Sequence, residues 1–182
     1  MLGSKAMFSV KELRELAKGL SAAEFMRQLG PFVLVQRPAK VDSMHDFDSG
    51  ATQVVTLKAM SDGALGLLFA FNDLVVANLP PMKGQDELCV GRLPDCDLVL
   101  THESVSKRHA VLRWSDAEKR CTVFDLSSTN GTYLNAEKQV TEETEVRDGD
   151  IVSFGQEQFW FLLSGTLHQK VAVQATHFPR GI

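Results

Sequence analysis

Long hydrophobic runs are missing from this sequence: no apolar stretch comes near the ~18 residues that a membrane-spanning helix needs. Cysteine is also scarce. Three cysteines are an odd number in a chain of 182 residues, and a domain of this size does not need disulfides to fold, so we expect no disulfide framework. Residues 1–8 carry one lysine and no long apolar stretch, unlike a signal peptide. We therefore expect a cytoplasmic protein without a membrane partner.

The residue patterns of common enzyme and cofactor sites are missing as well. The sequence has no Gly-x-Ser-x-Gly, no Gly-x-x-x-x-Gly-Lys-Ser/Thr and no glycine-rich dinucleotide fingerprint between a strand and a helix. His109 follows Ser106 by three residues, but both fall in one short segment with no evident carboxylate to orient the histidine. The cysteines lack the paired spacing of a zinc site, and the histidines are scattered. We expect no catalysis, no metal and no cofactor.

The overall composition is that of an ordinary globular protein, with 44% hydrophobic and 23% charged residues. A length of 182 residues favours one domain with an appendage, or two small domains. The net charge of −4 is unevenly spread: residues 1–84 hold nine basic and eight acidic residues, whereas residues 85–164 hold eight basic and fifteen acidic residues. Because the acidic stretch also carries most of the sequence motifs, we expect no nucleic-acid partner.

Two short helices are predicted near the start of the chain. Ser9 and Ser21 each stand three residues before a glutamate, Glu12 or Glu24, which is the capping-box pattern of a helix start. Apolar residues then recur at helical spacing, and a glycine stands where each helix should end. The predicted hairpin therefore has an apolar stripe, which either packs on the rest of the chain or docks a partner. The sequence leaves both alternatives open.

Beyond residue 53 the periodicity becomes strand-like. Short β-like runs recur, separated by turn residues, and no crossover helix lies between them. This spacing predicts an all-β fold, either a sandwich or a barrel. A further strand is predicted at Val171–Val173 within an otherwise tail-like end. The other predicted strands are Phe32–Val35, Val54–Leu57, Leu65–Phe71, Leu74–Leu79, Leu88–Val90, Leu98–Leu100, Ala110–Trp114, Cys121–Phe124, Thr132–Leu134, Ile151–Phe154 and Phe159–Leu163.

Four polar motifs punctuate the predicted strands in a fixed order. They are Gly91-Arg92, Ser106-x-x-His109, Ser128-Thr129-Asn130-Gly131-Thr132 and Gly149-Asp150-x-x-x-Phe154-Gly155. Each motif alone is a weak signal, but together they resemble a forkhead-associated (FHA) domain over about residues 86–164. The resemblance implies a two-sheet antiparallel β-sandwich that binds phosphothreonine peptides through loops at one end.

The local patterns and the resemblance together suggest how the chain is divided. Residues 1–37 are expected to form the helical hairpin and the first strand, and residues 38–63 a linker or extended segment. The FHA-like β-sandwich is expected over residues 64–164, followed by a C-terminal tail at residues 165–182. The first sixty or so residues have no counterpart in the family pattern, so the resemblance assigns them no role.

The resemblance implies specific roles for residues in the motifs. Phosphothreonine carries a charge near −2 and three strong acceptor oxygens, so its site needs a cation and short donors. By similarity, Arg92 would bind the phosphate through its guanidinium, Ser106 through its hydroxyl, and Lys107 through its backbone amide or ammonium. The remaining residues with implied roles are Thr129 and Asn130 as contacts of the peptide, and Gly91, His109 and Gly131 as structural support of the site.

Each motif also has a purely structural interpretation. An arginine after a strand is usually a solvated charge, and Ser128-Thr129-Asn130-Gly131 alone is a good hairpin turn. Two residues differ from the usual family pattern: Lys107 stands where arginine or asparagine is common, and Asn135-Ala136 replaces Asn-Gly in a turn. The alternative function is therefore a phosphate-independent interaction scaffold on the same fold, although Arg92, Ser106 and Asn130 together favour phosphate binding.

The expected partners are a protein that contains phosphothreonine and an upstream Ser/Thr kinase. Thr52 lies in a loop-like stretch that a kinase could reach, so the domain could also capture its own phosphorylated Thr52 at a high effective concentration. A third alternative is a subunit that uses the N-terminal region chemically, but no sequence feature favours it. The sequence does not identify the kinase, the partner, the preferred peptide or the oligomeric state.

Overall fold

The computed structural model describes residues 7–37, 75–77 and 87–173. The strands within them are β1 (Met7–Ser9), β2 (Phe32–Gln36), β3 (Val75–Ala77), β4 (Glu87–Gly91), β5 (Leu98–Val99), β6 (Ala110–Ser115), β7 (Arg120–Asp125), β8 (Thr132–Leu134), β9 (Lys138–Gln139), β10 (Thr144–Val146), β11 (Ile151–Phe154) and β12 (Glu157–Leu163). The helices are α1 (Val10–Gly19), α2 (Ala22–Leu29) and α3 (Ser164–Val173).

The strands form two sheets, which confirms the predicted β-sandwich. The larger sheet has the strand order β1-β3-β2-β12-β11-β8-β9, and the smaller one has the order β10-β7-β6-β4-β5. The pairing is antiparallel except between β4 and β5, which run parallel. In the centre of the larger sheet, β2 pairs with β12, with Val35 opposite Trp160. The predicted first strand is therefore part of the sandwich and pairs with its last strand.

The main hydrophobic core fills the space between the two sheets. Alternate residues of a strand point to opposite faces, so Phe32 of β2 and Phe161 of β12 both reach this core, with ring centroids 4.9 Å apart. The smaller sheet contributes fully buried residues such as Leu112 and Val123. This apolar layer holds the two sheets together.

A second core lies on the outer face of the larger sheet, under the helices. The intervening strand residues point there: Val33 and Val35 of β2, and Trp160 of β12. The three helices cover them with their apolar side chains, and α3 packs against both α1 and α2. The buried helical residues are Val10, Leu13, Ala17, Phe25, Leu29, Leu167 and Val171. The β1, β3, β2 and β12 part of the larger sheet is therefore buried on both faces.

The two N-terminal helices begin as predicted. The Ser9 hydroxyl accepts a hydrogen bond from the Glu12 amide, and the Glu12 carboxylate accepts one from the Ser9 amide, at 3.3 and 2.8 Å. Ser21 and Glu24 form the same reciprocal pair at the start of α2. Of the two alternatives for the apolar stripe, the structure supports packing on the rest of the chain, because the stripe is buried in the second core.

The structure corrects the prediction for the end of the sandwich. Val171–Val173 is not a strand but the last turn of α3, where Val171 is fully buried in the second core. Three short strands, β1, β9 and β10, were not predicted. The predicted strands at Val54–Leu57 and Leu65–Phe71 lie outside the described residues, as does Thr52. No helix among the described residues is long and apolar enough to cross a membrane.

Candidate functional site

Backbone hydrogen bonds join the loop after β4 to the segment that precedes β6. The Arg92 amide donates to the Ser106 carbonyl and the Leu93 amide donates to the Lys107 carbonyl, each at 3.1 Å. The approach is so close that a Cβ on Gly91 would lie 2.3 Å from the Lys107 carbonyl oxygen. Only glycine fits there without moving backbone, which supports the structural role expected for Gly91. Arg92 and Ser106 are thus brought together.

The Arg92 side chain is oriented by one of its nitrogens. Nε donates to the Val105 carbonyl oxygen at 2.6 Å, and the side chain is otherwise exposed. Within the described residues, its two terminal nitrogens make no hydrogen bond or ion pair. The neighbouring Arg108 differs, because its guanidinium pairs with the Asp95 carboxylate. Lys107 is exposed beside them. Arg92 and Lys107 therefore present positive charge without a carboxylate partner in this part of the chain.

His109 supports the Ser106 segment from inside the sandwich. Its ring is fully buried; Nδ1 accepts a hydrogen bond from the Ser106 amide at 2.9 Å, and Nε2 lies 3.1 Å from the Gly131 carbonyl oxygen. Because Nδ1 is the acceptor, the hydrogen of the neutral ring belongs on Nε2. Burial lowers the pKa of the imidazole, against the opposing effects of the Gly131 hydrogen bond and the Asp125 charge. A neutral His109 thus joins the Ser106 and Gly131 loops.

The loop between β7 and β8 meets Ser106 from the other side. The Thr129 amide donates to Ser106 Oγ at 3.0 Å, and the two hydroxyl oxygens lie 3.4 Å apart. Next to it, Asn130 Nδ2 donates to the Ser104 carbonyl oxygen at 2.8 Å. Thr129 and Asn130 are exposed, and Ser106 is half-buried. The structure therefore brings the predicted residues of three separate loops to one end of the sandwich.

Asp125 organises this loop and was not identified in the sequence. Its carboxylate accepts hydrogen bonds from the Ser128 amide, the Ser128 hydroxyl and the Thr132 hydroxyl, at 2.8, 2.7 and 2.6 Å. Burial disfavours the charged form of Asp125, but these hydrogen bonds outweigh burial and lower the pKa of the carboxyl. The loop then passes through Gly131, whose φ of +75° favours glycine. The sequence signal that could have revealed this role is the spacing of Asp125 and Ser128, because an Asp side chain often accepts from the backbone a few residues further on.

Ser104 is a second supporting residue that the sequence did not reveal. Its side chain is buried, and its hydroxyl accepts from the Gln156 amide at 2.9 Å. Its carbonyl oxygen is the one that holds Asn130. A Cβ on Gly155 would lie 2.5 Å from that oxygen, so glycine is needed for this approach as well. Ser104 links the turn after β11 to the Asn130 side chain, which sequence spacing alone does not show.

The Asn135-Ala136 turn forms despite its unusual residue. Both residues adopt left-handed backbone conformations, with φ of 53° and 61°. Asn135 is compatible with this region, and its side chain also bonds to the Ile151 amide and to Asp150, at 2.9 and 3.0 Å. Ala136 has no such compensation from its side chain. The turn therefore forms with Ala136 in a left-handed conformation that is costly for alanine.

Comparisons with known proteins agree with this arrangement. The FHA domain family model matches residues 88–155. The FHA domain-containing protein PS1 of Arabidopsis thaliana is 38% identical over 72 residues, which is 39% of this chain and 5% of PS1. Glycogen accumulation regulator GarA of Mycolicibacterium smegmatis is 28% identical over 140 residues, 77% of each chain.

A solved structure is also similar in part. It is that of Mycobacterium tuberculosis EmbR in complex with a low affinity phosphopeptide, with 29% identity, a TM-score of 0.39, and coverage of 43% of this chain and 20% of that one. The present chain spans only a small part of PS1 and of EmbR. The family match and the motifs agree on the same segment: residues 88–155 are an FHA domain.

Proposed function

We propose that this chain binds phosphothreonine peptides at the end of the sandwich, through Arg92, Ser106, Lys107, Thr129 and Asn130, and thereby conveys the output of a Ser/Thr kinase to another protein. The observation that carries the proposal is the state of Arg92. Its Nε is engaged by the Val105 carbonyl beside Ser106, while its terminal nitrogens have no partner among the described residues. An oriented cation of this kind fits a ligand with negative charge.

The chemistry of a phosphate group matches what Arg92 offers. A phosphothreonine has a charge near −2 and three strong acceptor oxygens. A guanidinium can give two parallel N–H donors to such a group, and its plane is fixed here by the Val105 contact. Arg108 is less suitable, because Asp95 already occupies its guanidinium. Of the two arginines near the site, Arg92 is therefore the proposed phosphate ligand.

Ser106 supplies the second proposed contact. Its oxygen accepts from the Thr129 amide at 3.0 Å, which orients the hydroxyl, whereas its own hydrogen reaches only to the Thr129 hydroxyl at 3.4 Å. A hydrogen bond this long is weak, so the Ser106 hydroxyl can turn its hydrogen to a phosphate oxygen at little cost. Thr129 then contributes through its own hydroxyl to the phosphate or the peptide, and Lys107 contributes through its amide or its ammonium.

Asn130 is proposed to hold the peptide backbone. An asparagine side chain offers two N–H donors and a carbonyl acceptor. One donor is committed to the Ser104 carbonyl, which fixes the side chain, and the oxygen and second N–H remain to pair with a peptide. These groups recognise backbone rather than side chains, so Asn130 should contribute to affinity for any peptide sequence. Gly91, His109 and Gly131 would act indirectly, by holding the loops.

Other parts of the proposal rest on the family and on the sequence. The chain would act in the cytoplasm, which its three free cysteines favour, and it would catalyse no reaction on its partner. Thr52, if phosphorylated, would compete for the same site from within the chain. Preference for threonine over serine would come from its methyl group in an apolar niche, worth on the order of 1 kcal/mol.

The test is capture from an oriented phosphothreonine peptide library, beside phosphoserine and unphosphorylated versions. We expect selective capture of phosphothreonine peptides by the wild type and by Arg108→Ala, and loss of capture by Arg92→Ala. Each variant removes one positive charge, Arg92 from the loop after β4 and Arg108 from the segment before β6. The pair therefore distinguishes a direct phosphate contact from a general effect of the net charge. Equal capture of unphosphorylated peptides, or equal loss in both variants, would contradict the proposal and favour the phosphate-independent scaffold.

A further inference from the structure

Two cysteine thiols lie directly behind the Arg92 loop. The Sγ atoms of Cys89, in β4, and Cys96, shortly before β5, are 3.2 Å apart, and both residues are free thiols. Cys89 is half-buried and Cys96 is buried. Because Arg92 stands between the two cysteines in the chain, a bond between them would close a short loop around the proposed phosphate ligand.

The fold brings the thiols together independently of any bond between them. β4 and β5 run parallel with Val90 opposite Leu98. This register places Asp97 beside Cys89, and Cys96 is the residue directly before Asp97. The Asp97 carboxylate accepts a hydrogen bond from the Cys89 amide at 2.8 Å. A turn closed by the Cys96 amide and the Leu93 carbonyl, at 3.1 Å, returns the chain to β4. The closeness of the thiols is therefore a property of the folded loop.

We propose that Cys89 and Cys96 form a reversible intrachain disulfide, and that this modification couples the redox state of the surroundings to the phosphate-binding end of the sandwich. A disulfide needs a sulfur–sulfur distance of about 2.05 Å, so closure moves the two sulfurs together by about 1.2 Å. Reversible disulfides of this kind in reducing compartments are usually redox-sensing. The chemistry stands by itself, whereas its consequence for peptide binding rests on the proposed function.

The oxidant in this reaction is a small disulfide such as oxidised glutathione. The Cys89 thiolate attacks one glutathione sulfur, the glutathione disulfide bond breaks, and one glutathione leaves and takes up a proton. Cys96 then attacks Cys89 Sγ, gives up its proton and releases the second glutathione. Two protein thiols are oxidised and one glutathione disulfide is reduced to two thiols.

Cys89 is the expected entry point because it is the more accessible thiol. Burial, together with the interaction with the neighbouring Cys89 thiol, raises the pKa of Cys96 to about 11, so few Cys96 thiolates exist at neutral pH. Closure of the disulfide should therefore speed up as the pH rises towards that value. Cys121 offers a contrast, since burial raises the pKa of its thiol to about 12 and it lies in the main core.

The disulfide would affect the proposed phosphate site through the Lys107 peptide group. The Lys107 carbonyl oxygen accepts from the Leu93 amide at 3.1 Å and from the Cys96 thiol at 3.6 Å. Oxidation removes the thiol hydrogen and draws Cys96 towards β4. Since Lys107 is held less firmly and the Arg92 loop is displaced, we expect phosphopeptide affinity to fall by about threefold or more.

The disulfide itself is tested by alkylation and peptide mapping of the full chain after incubation with glutathione buffers of defined ratio. Trypsin cleaves after Arg92, between the two cysteines, so the disulfide joins the peptides 84–92 and 93–107. We expect this linked pair in the wild type and in Cys121→Ser, its disappearance in dithiothreitol, and its absence in Cys89→Ser. Full alkylation of both thiols after oxidation, or a stable glutathione adduct on Cys89, would overturn the proposal.

The coupling is tested on the same samples with two readouts. Oxidised wild type should bind a phosphothreonine peptide more weakly than reduced wild type, with no such change in Cys89→Ser, and the backbone amide signals of Leu93 and Lys107 should shift on oxidation. Unchanged signals and unchanged affinity in the disulfide form would overturn the coupling. If reduced wild type binds no phosphopeptide, the proposed function fails, and the amide signals alone decide the coupling.

Discussion

The two sheets of the sandwich differ in what covers their outer faces. On the larger sheet, the helices bury the outer face of β1, β3, β2 and β12, whereas the smaller sheet leaves Phe124 and Val99 exposed, at 43% and 36%. The smaller sheet also supplies most of the loops of the candidate site, after β4, before β6 and after β7. The comparison indicates that the covered sheet mainly stabilises the fold, whereas the open sheet carries most of the loops of the candidate site.

The largest effect is expected where the covered sheet faces the main core. Phe161→Ala removes a ring that is 1% exposed and packs on Phe32, and such truncations cost about 3–5 kcal/mol. We expect a matching loss in the free energy of unfolding, measured in urea, and loss of peptide binding only through unfolding. Phe124→Ala, on the exposed face, is the matched control and should cost far less. Equal losses would contradict the assignment of the two faces.

A slightly smaller effect is expected in the helical layer. Leu13→Ala deletes a fully buried side chain of the second core and should cost about 2–5 kcal/mol, while Lys11→Ala on the exposed side of the same helix should be nearly neutral. At a temperature where Leu13→Ala is still folded, its affinity for phosphopeptide should equal that of the wild type. A clear loss of affinity in the folded variant would show that the helices contribute to the site.

His109, which joins the loops, should make stability depend on pH. Burial lowers the folded-state pKa of His109 below its ordinary value of 6.5, so the unfolded chain takes up the proton first as the pH falls. The free energy of unfolding should therefore be highest above about pH 6.5. It should decrease as the pH falls from there towards the folded-state pKa of His109. An NMR titration of the ring checks the assignment directly. A midpoint above 6.5 for the folded protein would contradict it.

The smallest effect concerns the strained turn. Ala136 has a φ of 61°, which costs an L-residue with a Cβ about 1–2 kcal/mol, so Ala136→Gly should stabilise the protein by about 1 kcal/mol or somewhat less. The same substitution at Ala23, exposed in α2, should destabilise by about 1 kcal/mol. Chemical denaturation of both variants measures the difference. Destabilisation by Ala136→Gly would show that the turn is not strained.

Local sequence patterns predicted the elements whose signals are local. The capping boxes at Ser9 and Ser21 located α1 and α2, and the strand-like runs located the longer strands. α3 was missed because β-branched Val171 and Val173 favour a strand locally, whereas packing of the helix against α1 and α2 determines the outcome. Short strands made of polar residues, such as Lys138–Gln139, carry too little apolar pattern to be recognised.

The residues proposed for the site came from the sequence, whereas the groups that hold them in place were found only in the structure. The motifs identified Arg92, Ser106 and Asn130, and the structure brings their loops together. The groups that orient them were not recognisable, because the Val105 and Ser104 carbonyls act through backbone atoms that every residue has. The pairing of β2 with β12 was hidden for a similar reason, since it joins segments at opposite ends of the described chain.

The central claim is that Arg92, in the loop after β4 of the smaller sheet, binds a phosphate. The direct measurement is calorimetric titration of wild type and Arg92→Ala with one phosphothreonine peptide and with the same peptide unphosphorylated. A charge-assisted contact is worth about 1.5–3 kcal/mol, so Arg92→Ala should lower the affinity for the phosphopeptide by roughly 10- to 150-fold. Any affinity for the unphosphorylated peptide should stay unchanged. Equal effects of Arg92→Ala on both peptides, or no effect on either, would contradict the account.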